Sequence, residues 1–133
     1  MEKMIGIVLV SHSKKITDGI QELINEMTGN QVKVVSAGGT DDGRLGTSAH
    51  LIMEAIHDCS ECKRILIFCD MGSSILSSET AIDLLEPELR DKCLIVNAPI
   101  VEGAFVAAVQ SMVTTDIDNI LDEIRNMQNS MPV

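Results

Sequence analysis

Four short apolar runs, each followed by a segment with helical spacing, constrain the fold of this chain more than any other feature of its sequence. The runs cover residues 4–10, 32–35, 64–69 and 93–96. Such runs are typical of strands that are buried on both faces of a sheet. Because a helix between consecutive strands makes a crossover connection, the pattern predicts parallel strands in one sheet, with helices on both of its faces.

Apolar residues recur at spacings of three and four in the segments between and after these runs, which predicts amphipathic helices. Residues 101–113 are apolar on nearly every side. We therefore expect this helix to be covered on more than one face, in part by a second subunit. The last helix is expected to end near Met127, with residues 128–133 forming a frayed tail.

The length of the chain, 133 residues, suits one hydrophobic core. There is no Trp or Tyr and there are only two Phe, so aliphatic side chains must fill that core. We expect a single α/β domain over residues 1–133, with its core at about 4–124. Its three layers would be a central, mainly parallel four-stranded sheet in the order 2-1-3-4, flanked by helices.

The charge of the chain limits its partners. A formal net charge of -10 opposes binding to the phosphate backbone of nucleic acids. No apolar run approaches the ~20 residues that a membrane-spanning helix needs, and the first ten residues lack the layout of a signal peptide. The sequence therefore predicts a cytoplasmic protein with no membrane or nucleic-acid partner, whose cysteines are reduced thiols.

Polar residues follow the first and third apolar runs, which are neighbouring strands in the predicted sheet. His12 follows the first and Asp70 the third, at the edge where ligands collect in open α/β folds. A carboxylate beside an imidazole fixes its tautomer and leaves the other ring nitrogen free to attack. Gly72, Ser73 and Ser74 then open a helix whose backbone N–H groups and hydroxyls could hold a phosphoryl group.

Each of these residues also has a simpler interpretation. His12 could merely end a strand, Asp70 could cap the next helix, and the Gly-Ser-Ser segment could be an ordinary strand-to-helix turn. Lys14, Lys15 and Arg44 fall near the same edge, where they could attract a phosphate or form a solvated face. Only the convergence of these features on one edge of the sheet favours an active site.

Cys59 and Cys62 match the CxxC spacing of thiol-redox and zinc sites. Redox motifs of this kind follow a strand and open a helix, whereas this pair follows a helix and precedes a strand. His50 and His57 on the preceding helix could complete a zinc site, but a single CxxC is weak evidence for one. We therefore predict no metal and no cofactor on this chain.

Four ordered segments carry a family resemblance. They are residues 7–13 (IVLVSHS), 37–48 (AGGTDDGRLGTS), 70–81 (DMGSSILSSETA) and 98–104 (APIVEGA). Together they resemble the DhaM family, the phosphotransfer subunits of phosphoenolpyruvate-dependent dihydroxyacetone kinases. This resemblance implies the mannose-type IIA fold of the sugar phosphotransferase system (PTS) and a homodimer.

The resemblance also implies a role for each site residue. His12 would be phosphorylated by phospho-HPr and would pass the phosphoryl group to ADP held in the DhaL subunit. DhaL with DhaK would then phosphorylate dihydroxyacetone, so that this substrate never contacts the chain. Asp70 would orient His12, and Ser73 with the neighbouring amides would bind the phosphoryl group. The rim that docks both partners would be formed by Lys15, Gly38, Gly39, Thr40 and Pro99.

Two other functions stay open at this point. A mannose-type sugar IIA module would pass the phosphoryl group to a IIB partner, although residues 70–74 lack the Gly-Gly-Ser-Pro continuation of that branch. A non-catalytic module would use phosphorylation of His12 to change the affinity of a partner. Some DhaM proteins carry further HPr-like and enzyme-I-like domains, but the motifs here match the first module alone. We therefore expect separate HPr and enzyme I proteins to supply the phosphoryl group.

Overall fold

The computed structural model describes residues 4–131, and in this range it contains four strands and six helices. The strands are β1 (Ile5–Val10), β2 (Lys33–Ser36), β3 (Arg64–Cys69) and β4 (Cys93–Val96). The helices are α1 (Lys14–Thr28), α2 (Ala49–Asp58), α3 (Gly72–Asp83), α4 (Pro87–Arg90), α5 (Ile100–Ser111) and α6 (Ile117–Ser130). No helix in the described range is both long and apolar enough to cross a membrane.

The strands form one parallel sheet in the order β2-β1-β3-β4, which confirms the predicted order. In the register of β1 and β3, Val10 lies opposite Cys69. The residues that follow these two strands therefore emerge side by side. This register is what places His12 next to Asp70 at the carboxyl edge of the sheet.

Alternating side chains of β1 contribute to two separate cores, one on each face of the sheet. Ile5, Ile7 and Leu9 pack with residues of α1, α5 and α6, together with Phe68. Val8 and Val10 pack on the other face with residues of α2 and α3. Since complete burial of such a side chain contributes about 1.5–3 kcal/mol, both faces of β1 anchor the site edge. The three-layer prediction is confirmed.

The last two helices bear on two expectations from the sequence, of which the one for the end of α6 is wrong. In α5, Ala104 and Ala107 are fully buried, whereas Val101 and Val109 are exposed by 40% and 42%. Within this chain α5 packs against the sheet, α1 and α6, and cover of its exposed valines by a second subunit stays a prediction. Helix α6 runs through Ser130, so the prediction of a frayed tail is wrong for residues 128–130. The side-chain amide of Gln128 donates a hydrogen bond to the backbone oxygen of Asn97 (3.3 Å), which holds this last turn.

Residues 132–133 of the expected tail lie outside the described residues.

Two glycines, one inside α1 and one packed against it, give opposite stability predictions. A Cβ atom at Gly38 would lie 2.6 Å from the backbone oxygen of Ser13 and would also clash with Thr17, whereas one at Gly19, inside α1, would meet no atom within 4 Å. We expect Gly38→Ala to lower the free energy of unfolding by about 1–3 kcal/mol. Gly19→Ala should raise it by about 0.5–1 kcal/mol, because alanine favours the helix. Urea denaturation measures both, and changes of the same sign would contradict the packing described for Gly38.

Candidate functional site

His12 and Asp70 lie in contact at the carboxyl edge of the sheet. The ring nitrogen Nδ1 of His12 is 3.1 Å from Oδ1 and 3.3 Å from Oδ2 of Asp70. The backbone N–H of His12 also donates a hydrogen bond to Oδ2 (3.1 Å). The carboxylate thus holds both the backbone and the ring of His12, and the structure brings together the two residues that the sequence predicts as nucleophile and orienting group.

The Asp70 carboxylate accepts further hydrogen bonds on both oxygens. Ser11 Oγ donates to Oδ2 (2.9 Å), while Ser74 Oγ (2.7 Å) and the backbone N–H of Met71 (2.8 Å) are donors to Oδ1. Partial burial alone would raise the pKa of Asp70, but the hydrogen bonds, with Ser74 foremost, outweigh it and lower this pKa to about 2. Asp70 is therefore a carboxylate at neutral pH.

This ionisation determines the tautomer of the His12 ring. An ionised carboxylate can only accept, so Nδ1 carries the proton and Nε2 keeps a free lone pair. Because folding lowers the pKa of Asp70 from 3.8 to about 2, the stability that it contributes is fully present above roughly pH 4. That contribution is lost as the pH falls towards 2. Asp70 therefore stays ionised at pH values above that range.

The free nitrogen Nε2 faces the amino end of α3. Ser73 Oγ is in hydrogen-bond contact with Nε2 of His12. Helix α3 begins at Gly72, and the first N–H groups of a helix favour an anion; in α3 the N–H of Ser74 already donates to the Met71 oxygen (3.0 Å), which leaves this role to Gly72 and Ser73. The His12 side chain is 27% exposed, so a partner protein can reach it. A phosphoryl group on Nε2 would have the Ser73 hydroxyl and these N–H groups as donors.

Two serines beside Asp70 differ from the sequence expectation. Ser74, which the sequence predicts as a phosphate ligand, is fully buried and its hydroxyl contacts Asp70, so it holds the carboxylate rather than facing the phosphoryl position. Ser11 is also fully buried, and sequence reasoning gave it no role. Its only signal is a hydroxyl at the last position before His12, where an apolar strand residue would otherwise fit.

The loop of residues 37–46 is hydrogen-bonded to the backbone of Ser11 and His12. The backbone N–H of Gly39 donates to the oxygen of Ser11 (3.0 Å), and that of Gly46 donates to the oxygen of His12 (2.8 Å). Gly38 and Gly39 are buried. They therefore support the backbone next to His12 and do not form an exposed docking rim. Gly39 has a positive φ of 78°, a conformation that favours glycine.

The other predicted rim residues lie nearer the surface. Lys15 is exposed, while Thr40 and Pro99 are half-buried; Pro99 precedes α5, after the outer strand β4. Lys14, Lys15 and Arg44 line one cleft of about 430 Å³ that also includes Ser13, the neighbour of His12. The basic side chains predicted near this edge therefore share one cleft beside the candidate nucleophile.

Exposed apolar side chains follow the site residues directly. Met71, next to Asp70, is 59% exposed, and Leu76, one turn after Ser73 on α3, is 65% exposed. Leu45, at the end of the glycine loop, is 80% exposed. Sequence reasoning missed these three residues, because a single exposed apolar side chain cannot be told from a buried one in the sequence alone.

The CxxC pair lies at the opposite end of β1. Cys59 and Cys62 are buried against Gly6, where a Cβ atom would lie 3.0 Å from both sulfur atoms. His50 is exposed and contacts Asp41 (3.2 Å) and Glu54 (2.9 Å) instead. Within residues 4–131, no group of three or more His, Cys, Asp or Glu residues is arranged to hold a metal ion.

The sequence is similar to that of one family of PTS proteins. Residues 6–121 match the EIIA-man family, described as the PTS system fructose IIA component. The chain is 56% identical over 124 residues to the phosphoryl donor subunit DhaM of PEP-dependent dihydroxyacetone kinase 2 from Listeria innocua, which covers 93% of this chain and 99% of that protein. It is 39% identical over 121 residues to DhaM of Escherichia coli K12, of which it spans 26%.

Solved structures share the fold. A crystal structure of a protein of unknown function superposes with a TM-score of 0.84 at 44% identity, covering 93% of this chain and 95% of the other. A PTS IIA protein associated with the fucose utilization operon of Streptococcus pneumoniae has the same fold, with a TM-score of 0.66, at 16% identity over all of this chain and 96% of the other. The chain therefore belongs to the EIIA-man family and, within it, to the DhaM phosphoryl donor subunits of PEP-dependent dihydroxyacetone kinases.

Proposed function

We propose that His12 accepts a phosphoryl group from phospho-HPr on its Nε2 atom and passes it to ADP bound in a DhaL subunit. The ATP so formed on DhaL would drive phosphorylation of dihydroxyacetone, which is bound by DhaK. The main support is the contact of His12 Nδ1 with Asp70 at 3.1 Å, which leaves Nε2 free and facing the amino end of α3. The names of the relatives support the same kinase system.

In each half-reaction one bond to phosphorus forms as another breaks. The Nε2 lone pair attacks the phosphorus atom of phospho-HPr, and the bond between phosphorus and the donor histidine breaks. A β-phosphate oxygen of ADP later attacks the same phosphorus atom and releases Nε2. Positioning and donors to the phosphoryl oxygens, here Ser73 and the first N–H groups of α3, account for most of the catalysis in such transfers.

The proposed partners fit the surface around the site. Met71, next to Asp70, and Leu76, on α3, offer exposed apolar side chains. The cleft near His12 contains Lys15 together with Lys14 and Arg44, which are paired with Asp18 and Asp42. We also propose the homodimer and the cytoplasmic location that the sequence predicts. An apolar cleft of about 450 Å³ between α1, α5 and α6 supports a second subunit. The cleft is lined by Leu23, Met27, Val101, Glu102, Phe105, Val106 and Met127.

A two-stage transfer assay tests this function. The chain is first labelled with ³²P-phosphoenolpyruvate, enzyme I and HPr, and then separated from them. Labelled chain is next mixed with DhaL loaded with ADP, or with a mannose-type IIB protein. We expect loss of label to DhaL and its appearance in ATP. Preferential transfer to the IIB protein would instead support the sugar-transport function, and retention of label with both acceptors would support a regulatory module.

A further inference from the structure

A buried serine hydroxyl anchors the orienting carboxylate from the side of β1. Ser11 is 0% exposed and lies immediately after β1, where its Oγ donates to Oδ2 of Asp70 at 2.9 Å. The Oγ atom of Ser11 also accepts a hydrogen bond from the backbone N–H of Ser13 at 3.1 Å. With that acceptor position filled, the Ser11 hydroxyl proton is directed at the carboxylate.

A second buried hydroxyl anchors the other carboxylate oxygen from α3. Ser74 is 0% exposed, and its Oγ lies 2.7 Å from Oδ1 of Asp70 and 2.6 Å from the backbone oxygen of Met71. Its single proton prefers the anionic acceptor, because hydrogen bonds to charged groups are the stronger ones. The same Oγ accepts from the backbone N–H of Met71 (3.2 Å), which fixes it at the start of the helix.

We propose that Ser11 and Ser74 are positioning residues, which hold the Asp70 carboxylate in the orientation that His12 needs for phosphoryl transfer. This inference rests on the proposed function and adds two residues that do not touch the phosphoryl group themselves. The energy of an aspartate side chain changes little as its carboxylate rotates about the terminal torsion. The orientation of the carboxylate must therefore be set by its contacts. The Ser11 hydroxyl on Oδ2 and the Ser74 hydroxyl on Oδ1 restrict that rotation, together with the backbone N–H groups of His12 and Met71.

Loss of either serine hydroxyl should change the titration of Asp70. His12, from the end of β1, and Cys69, from β3, are titratable groups that the structure places against this carboxylate. Burial raises the pKa of the Cys69 thiol, so it stays uncharged near neutral pH. Removing either serine hydroxyl takes a donor from a partly buried anion. The midpoint of the Asp70 titration should therefore rise, by roughly one pH unit for each variant.

Three alanine variants test the inference. Ser11→Ala and Ser74→Ala each remove one donor to Asp70. Ser78→Ala is the matched control, since Ser78 is also fully buried and donates to the backbone oxygen of Ser74 at 2.7 Å. The measurements are the ¹³C titration of the Asp70 carboxyl by NMR, and the rate of His12 phosphorylation at increasing concentrations of phospho-HPr.

We expect Ser11→Ala and Ser74→Ala to raise the titration midpoint and to slow phosphorylation about tenfold at saturation, with an unchanged KM. The control should stay within twofold of the wild type. If neither serine variant raises the midpoint or lowers the phosphorylation rate more than the control does, the inference is wrong. Should one variant fail to fold, the other provides the same two measurements. An absence of phosphorylation in the wild type would refute the proposed function, whereas the titration would still test the two serines.

Discussion

Replacing His12 with alanine will abolish phosphorylation of the chain by phosphoenolpyruvate, enzyme I and HPr. The variant retains the sheet edge and Asp70 but lacks the ring nitrogen that faces Ser73 and the amino end of α3. Ser73 is not expected to replace it as acceptor, because His12→Ala also removes the imidazole that contacts the Ser73 hydroxyl. Intact-mass measurement should show one added phosphoryl group on the wild type and none on His12→Ala.

The other two histidines provide matched controls for this experiment. His50 and His57 both lie on α2, and His50 is exposed and bound to two carboxylates. His50→Ala and His57→Ala should each accept one phosphoryl group at the wild-type rate. Phosphate on His12→Ala, or its loss from either control, would place the acceptor elsewhere in the chain.

Replacing Asp70 with asparagine should slow phosphorylation of His12 by about 10²–10⁴-fold. Asparagine has the shape of aspartate but carries no charge, and its amide nitrogen donates where a carboxylate oxygen accepts. The ring of His12 then loses the acceptor that keeps the proton on Nδ1, and Nε2 no longer keeps its lone pair free. Rapid-quench measurement of a single turnover with phospho-HPr gives the rate directly.

An equivalent pair on the surface provides the control for Asp70. Asp41 lies 3.2 Å from Nδ1 of His50, so Asp41→Asn breaks the same kind of contact at a pair that does not include His12. The rate of His12 phosphorylation in Asp41→Asn should match that of the wild type. The orienting role of Asp70 is wrong if the phosphorylation rate of Asp70→Asn also stays within threefold of the wild-type rate. Urea denaturation checks that this variant is folded.

The sequence predicts the pairing of His12 with Asp70 because it depends on strand order and on little else. Parallel strands that are neighbours end at the same edge, so the residues after β1 and β3 must meet there. The order itself is confirmed by the structure. The same reasoning places Ser73 at the start of α3, since the helix follows β3 after a two-residue turn.

The roles of the serines could not be predicted in the same way. Ser73 and Ser74 are adjacent in sequence, yet one contacts Nε2 of His12 and the other is buried against Asp70. Successive side chains on a helix point about 100° apart, so a shift of one residue in the start of α3 would move Ser74 into the surroundings that Ser73 has. The helix boundary is the least certain part of a sequence pattern.

The glycine loop shows a second limit of the sequence. Gly38 and Gly39 suit an exposed turn as well as a tightly packed one, and a pattern of Gly and Asp does not distinguish the two. In the structure, Gly38 is packed against Ser13 and Thr17.

The end of α6 is a third example. Gln128 in its last turns contacts the backbone of Asn97, which lies 31 positions earlier in the chain, and a local sequence pattern does not reveal such a contact.

The position of the phosphoryl group tests the central claim most directly. The chain, labelled with ¹⁵N-histidine, is phosphorylated by phosphoenolpyruvate, enzyme I and HPr and then studied by ¹⁵N and ³¹P NMR. The account predicts one phosphoryl group, on Nε2 of His12, with a bond that is labile in acid and stable in base. A phosphoryl group on Nδ1, or an acid-stable ester on Ser73, would contradict it.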